Sequence, residues 1–562
     1  MPRPFLPRTC LQAGHHHSGS KTEHRILVHR IIIAAIIVTT LIIINMKYSL
    51  IHLTLATAAV AVPAANCPKY TDYAGQRHTP YSSGKYALPY QRPGDDCRSY
   101  GVPEVEQTIK DMQSKIKDPD LYWLFQNTWP NTVDTTVLWT GAAADNANEE
   151  LAFVITGDIN AMWLRDSANQ LQSYKPILNG TSPKNSKFNI AKLYRGVINL
   201  QGRYIKQFPY CNAFQPPPES KLSVTPHKRS IGKRDVVNPP YDPGVVFECK
   251  YELDSLSAFL QLSWDYYEAT GDAAFFGKFK WADSVHTILN TARDMMAGTY
   301  AQNGSVNTSP YTWFRQSTSA TETVSNNGAG NPVNGNIGLV RSFFRPSDDS
   351  TIYQYFIPAN MMFSRYLKAC AQIMKTIDQK TAADMEAMAA GIVQAINENA
   401  IVNHPKFGQM YAYEVDGFGS FNLMDDANIP SLLSIPHLGY ESASDSIYQN
   451  TRKFVLSKSN PYYAYGPIIN APGGPHLGPG MGWPMGIIMQ IMTSDNDDEI
   501  VGGIKQLLSS TSGLGLMHES VNSQRDSSWT RPWFAWANGL FGQMLLDLST
   551  RKPALLSRSY QN

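Results

Sequence analysis

From residue 103 onward, apolar residues recur at three- and four-residue spacing in one segment after another, and this periodicity commits the chain to helix. It predicts helices over 105–116, 191–205, 253–270, 273–296, 352–377, 381–397, 444–456, 500–510 and 532–548. Strand signals are few and short. The connecting loops are long and rich in Gly, Pro, Asn and aromatic residues, and loops of that length in a compact domain generally carry function. No Gly/Ser-rich or Pro-rich linker divides the chain, so an all-α single domain over 103–562 is expected, with an N-terminal arm at 66–102 and a polar insertion at 215–244.

Hydrophobic residues make up 43 % of the chain, enough for a substantial core, which excludes a disordered chain. Net charge is +2 with no long basic tract, so no nucleic-acid partner is expected and an uncharged ligand is favoured.

Two apolar stretches lie in tandem near the N-terminus, 31–44 and 49–62. The second has the form of a signal peptide over 46–65: Lys47 supplies the charge, 50–60 the apolar run, and Val62-Pro63-Ala64 or Pro63-Ala64-Ala65 the cleavage site. Met46 is then the start, and 1–45, including His15-His16-His17, is an upstream extension. The competing reading makes the first stretch a type II Golgi membrane anchor behind Arg25 and Arg30, although it is shorter than the ~20 residues a span needs. Export permits disulfides. Cys211 and Cys249 flank the insertion and are expected to close it; Cys67 with Cys97 would tie down the arm, leaving Cys370 as a buried thiol. Glycosylation sequons at Asn179, Asn303 and Asn307 agree with a secreted glycoprotein. The dibasic pairs Lys228-Arg229 and Lys233-Arg234 read as solvated loop.

Chemistry is written in polar, aromatic stretches that core packing would not require. Thr156 to Ser167 brings Asp158, Trp163, Arg165 and Asp166 to the mouth of a helix, a mixture that suits a sugar: hydroxyls need polar partners while the C–H face of the ring packs on Trp. An Arg165-Asp166 ion pair at a helix end would explain the same residues. Arg345-Pro-Ser-Asp-Asp349 places two carboxyls side by side, which disfavours ionising both and leaves a general acid at neutral pH, one of the pair otherwise capping a helix that starts near Thr351. His518-Glu519-Ser520 sets a carboxylate among hydrogen-bonding side chains, as a base that holds a water requires; position 522 is Asn, so this is not a His-Glu-x-x-His metal motif. Asp425-Asp426 competes with Asp348-Asp349 for the acid. Segments around Tyr413, His476 and Trp483 supply further pocket wall, and 495–499 reads as a solvated acidic helix start.

Together and in this order, 156–170, 251–272, 345–362, 413–436, 465–485 and 515–548 resemble glycoside hydrolase family 125, the metal-independent exo-α-1,6-mannosidases. The resemblance implies an (α/α)6 barrel, inversion at the anomeric carbon, no cofactor, and a mannose-containing oligosaccharide or N-glycan as partner. It implies a general acid at Asp349 or Asp348, with Asp349 preferred because Asp348 is the more natural cap, and a base at Glu519. It also implies that Trp163, Arg165, Asp166, Arg345, His476 and Trp483 bind the terminal mannose. The rivals are a glycan-binding protein without catalysis on the same barrel, and a glycosidase of different sugar specificity.

Overall fold

The structure is a computed structural model that describes residues 67–179, 188–225 and 235–562. The signal peptide, the anchor and the extension expected at 1–65 lie outside the described residues, as do both dibasic pairs and the end of the Asn179 sequon.

Twelve helices of nine or more residues are found among the described residues: α1 (Pro103–Lys115), α2 (Pro119–Thr128), α3 (Leu164–Gln172), α4 (Ile190–Gln207), α5 (Leu253–Thr270), α6 (Trp281–Met295), α7 (Ile357–Met374), α8 (Gln379–Asn399), α9 (Ser446–Val455), α10 (Pro484–Met492), α11 (Asp497–Ser509) and α12 (Ala535–Arg551). They fall into two kinds. In α7, 15 of 18 residues are buried, whereas in α8 only 7 of 21 are, at spacings of three and four such as Met385, Ala389, Ile392 and Ile396. The first pattern is an interior helix and the second an amphipathic outer one. Interior helices pack on each other in succession: α3 on α5, α5 on α7, α10 on α12, and α12 back on α3.

Helix starts separate the same way. Asp118, Asn189, Asp378, Asp445 and Asn496 cap α2, α4, α8, α9 and α11 with side-chain acceptors. The interior helices α3, α5, α7, α10 and α12 instead begin at Trp163, Glu252, Phe356, Trp483 and Phe534, none of which makes a side-chain cap bond. Their entry is fixed by short antiparallel sheets. β1 (Met162–Trp163), β2 (Ala213–Phe214) and β3 (Val246–Glu248) precede α3 and α5; β4 (Tyr355–Phe356), β5 (Glu414–Val415) and β6 (Phe421–Asn422) precede α7. β7 (Met481–Gly482), β8 (Ser520–Asn522) and β9 (Arg525–Thr530) precede α10 and α12. A strand fixes the backbone without using the cap side chain, which leaves that position free for another task.

Several expectations need correction. The helix expected over 352–377 starts at Ile357, because Tyr355 and Phe356 are drawn into a strand opposite Val415 and Glu414. Neither Asp348 nor Asp349 caps it. The helix expected over 273–296 is broken into Ala273–Phe276 and Trp281–Met295. Helices α2 and α10 were not expected, and α3 was expected only as a helix start behind 156–167. All nine residues of α3 are buried although most are polar, and α10 is almost uniformly apolar, without a periodic face.

Disulfides join Cys67 to Cys97 and Cys211 to Cys249, and Cys370 is a buried free thiol, as expected. Such bridges belong to an oxidising compartment. Among the described residues, no helix is long and apolar enough to cross a membrane.

Candidate active site

The starts of α3, α10 and α12 and the loop before α7 surround a small cavity. Trp163, Arg165 and Asp166 come from the β1–α3 junction, Ser347 and Asp348 from the loop, His476 and Trp483 from the approach to α10, and Glu519 and Arg531 from the strands before α12. Residues far apart in sequence meet here because β-strand pairing brings successive interior helix starts to one end.

Asp348 sits at φ +66°, a left-handed conformation that Asp tolerates better than most residues and that costs on the order of 1 kcal/mol. The turn is held by Asp348 N–H donating to Arg345 O at 2.9 Å and by Arg345 N–H donating to Asp349 O at 2.8 Å. It points the Asp348 carboxyl at the cavity, where Oδ1 accepts from Trp163 Nε1 at 3.3 Å, Asn212 Nδ2 at 3.3 Å and Arg165 Nη2 at 3.5 Å. Lys250 Nζ donates to Asp348 O at 2.8 Å. Burial by itself would raise this carboxyl, yet Lys250 and Arg165 outweigh it and hold Asp348 below the usual carboxylate range.

Arg165 is the hub beneath. Its Nη1 reaches Glu252 Oε2 at 2.5 Å and Asp254 Oδ2 at 3.3 Å, and Nη2 lies 3.5 Å from Asp166 Oδ2. Burial pushes Asp166 and Asp254 each up to about 6 against the pull of Arg165, and pushes Glu252 well above its ordinary range. One guanidinium among four carboxyls cannot keep all of them ionised. The Arg165-Asp166 contact is therefore part of a network that faces the cavity, not a helix cap.

Glu519 is 6 % exposed and stands against Arg531, whose Nε lies 3.3 Å from Oε1. His518 turns inward: its Nδ1 donates to Arg531 O at 2.8 Å and its ring stacks on Trp529. His476 Nδ1 lies 3.3 Å from Asp349 Oδ1. Burial would lower its pKa, but the Asp349 hydrogen bond and the charges of Asp349, Asp348 and Glu519 lift it to about 9.

Trp163, Arg165, Asp166, Asp348, His476, Trp483 and Glu519 thus converge as a set. Two residues of the expected site do not line the cavity. Arg345 is 1 % exposed and gives its Nε to the fully buried Glu414 at 2.7 Å, because a buried carboxylate demands a cation. Asp349 is buried behind the turn, accepting from Ser347 Oγ at 3.1 Å and facing His476. Asp425 and Asp426 are not on the wall either: Asp425 accepts the Leu432 and Leu433 amides, and Asp426 orients Asn428, which does line the cavity. The sequence reading missed Arg531, Trp536, Asn428, Glu252 and Asn212. A clue for Arg531 stood in the sequence, an Arg-Pro-Trp run directly before an expected helix.

Asp166 Oδ2, Trp483 Nε1 and Trp536 Nε1 are buried and have no hydrogen-bond partner among the described residues. Buried polar atoms are normally paired, so an acceptor and two indole donors on a cavity wall suit a ligand rich in hydroxyls. Among the described residues, no three His, Cys, Asp or Glu side chains gather as they would around a metal ion.

A family model for the metal-independent α-mannosidases (GH125) matches residues 118–546. The meiotically up-regulated gene 157 protein of Schizosaccharomyces pombe is 47 % identical over 501 residues, covering 89 % of this chain and 96 % of that protein. A solved metal-independent α-mannosidase from Streptococcus pneumoniae, in a non-productive substrate complex with α-1,6-mannobiose, is 30 % identical with a TM-score of 0.70, covering 80 % of this chain and 98 % of its own.

Proposed function

The chain belongs to glycoside hydrolase family 125, the metal-independent α-mannosidases, and from that premise we propose that it is an exo-acting, inverting α-1,6-mannosidase. The observation that carries the reading is that Asp348 and Glu519, 171 positions apart in sequence, line one small cavity together with Trp163 and Trp483.

The terminal mannose packs its C–H face on indole, and its hydroxyls satisfy Asp166, Trp483 and Trp536. A small cavity lined by three indoles suits the end of a glycan, which supports exo action. Asp348 is the acid, because of the two adjacent carboxyls it is the one on the wall. It protonates the departing glycosidic oxygen while Glu519 takes a proton from the water that attacks C1 on the opposite face, so an α-linkage yields β-mannose. Inversion needs roughly 6.5–9.5 Å between the two carboxyls to admit that water. Asp349 holds His476 beside the acid.

The twelve helices, the alternation of interior and outer ones and the return of α12 to α3 support an (α/α)6 barrel over 103–562. The two disulfides support passage through the secretory pathway, with 46–65 as its signal.

The purified protein is expected to release mannose from α-1,6-mannobiose in the presence of a chelator, with β-mannose the first anomer seen by proton NMR. Binding without turnover would make it a glycan-binding protein. Preference for another linkage across a panel of α-mannosides would change the specificity, and release of α-mannose first would exclude inversion. Turnover that survives Asp348→Asn but not Asp349→Asn would move the acid one position.

A further inference from the structure

Asp348 presents a chemical difficulty as an acid. It lies against Arg165 with Lys250 close by, and both favour its ionised form, in which it has no proton to give. Glu252, at the start of α5, resolves the difficulty. Its side chain is fully buried, and one oxygen faces Arg165 Nη1 at 2.5 Å and accepts from Ser255 Oγ at 3.0 Å. The other accepts from Asn212 Nδ2 at 3.1 Å, the same nitrogen that lies 3.3 Å from Asp348 Oδ1. Arg165 and Asn212 therefore each touch both carboxyls and hold them side by side. Two carboxyls that share the same donors in a buried site cannot both ionise cheaply, so one of them keeps a proton.

We propose that Glu252 is a proton-sharing positioning residue for Asp348, one proton being held between the two carboxyls so that an acid crowded by cations still has a proton to deliver. The proposal rests on Asp348 being the acid. Solvent does not reach Glu252, so Glu252 acts only through Asp348.

In the reaction, the proton on Asp348 bonds to the glycosidic oxygen as the C1–O bond breaks and its electron pair passes to that oxygen. Water bonds to C1 and gives a proton to Glu519. The pair is left as two carboxylates across Arg165, which limits their repulsion, until it takes a proton from water while Glu519 releases one. The other charged or titratable groups facing the pair are Asp166 on α3, Lys250 and Asp254 flanking Glu252, His476 from the approach to α10, and Arg531 before α12. The macroscopic titration belongs to the pair and not to either residue.

The test is the pH profile of kcat/KM on α-1,6-mannobiose for the wild type, Glu252→Gln and Glu252→Asp. Without a second carboxyl, Asp348 loses its proton at lower pH. Glu252→Gln should move the basic limb down by at least about one unit and cut kcat at neutral pH roughly tenfold or more, with KM within about twofold. An aryl α-mannoside whose leaving group needs no proton should recover most of that loss. Glu252→Asp should keep the wild-type limb. An unmoved basic limb in Glu252→Gln, or an equal loss on both substrates, overturns the proposal. If Glu252→Gln does not fold, infrared difference spectra between the wild type and Asp348→Asn at neutral pH decide it: a protonated-carboxyl band lost with Asp348 is expected, and its absence from the difference overturns the proposal. Full turnover of mannobiose by Asp348→Asn would instead remove Asp348 as the acid, whatever Glu252 does.

Discussion

Arg531 lies beside Glu519, its Nε 3.3 Å from Oε1, while Nη1 of the same guanidinium reaches Asp158 at 2.9 Å. Arg531 is itself held at φ +57°, so the backbone before α12 is bent to bring this side chain to the cavity. The proposed base is held by a cation that is itself held by Asp158. Arg531→Ala should lower kcat on α-1,6-mannobiose about 10- to 100-fold, or about 1.4–2.7 kcal/mol, with a smaller change in KM. Arg531→Lys should not restore it, because a single ammonium replaces a planar fork that contacts both carboxylates. A change confined to KM would make Arg531 a substrate contact.

Arg345 and Trp483 should fail in opposite ways. Arg345 compensates the buried Glu414 and does not line the cavity, so Arg345→Ala should destabilise the fold by about 3–5 kcal/mol in denaturant unfolding. Trp483→Phe keeps most of the ring but removes an unpartnered N–H from a cavity-lining residue, and should raise KM roughly 3- to 10-fold with little change in unfolding.

The His476 imidazole is lifted from 6.5 to about 9 chiefly by Asp349, against the effect of burial. A group with a raised pKa stabilises the fold fully below its unfolded value and loses that contribution as pH rises through its folded one. The Tm advantage of the wild type over His476→Ala should therefore be constant below about pH 6.5 and shrink toward pH 9. His476 is one-third exposed, so solvent screening keeps the effect small. An advantage that grows with pH would contradict a charged imidazole at neutral pH.

The two disulfides should differ in their effect on turnover. Cys211 and Cys249 adjoin Asn212 and Lys250, which hold Asp348. Cys67 and Cys97 tie down the arm. Loop closure gives each bridge about 3–4 kcal/mol of stabilisation. Replacing Cys211 and Cys249 by Ser should in addition lower kcat several-fold at temperatures where the protein stays folded, whereas replacing Cys67 and Cys97 should leave kcat near wild type. Equal kcat values for the two variants would separate the bridge from the site.

Legibility followed the local code. Outer helices such as α8 and α11 were readable because one face is apolar and a polar residue caps the start. The almost uniformly apolar α10, with no contrast between faces, was not, and α3 was legible only as a helix start. The expected start of α7 was wrong because Tyr355 and Phe356 pair with Glu414 and Val415, nearly sixty residues away.

The sequence by itself determined that the chain is helical, that Cys211 would meet Cys249 across the insertion, and that Asp348, Asp349 and Glu519 sit in polar stretches with no packing reason. Those follow from spacing and residue type, which are local. Only the tertiary structure decided that Asp348 faces the cavity while Asp349 lies behind it, that Arg345 serves Glu414, that Arg531 stands against Glu519, and that Glu252 shares Arg165 and Asn212 with Asp348. Adjacent residues on a turn point to opposite sides, and which side is the cavity depends on α10 and α12, whose starts reach the site from the far end of the chain.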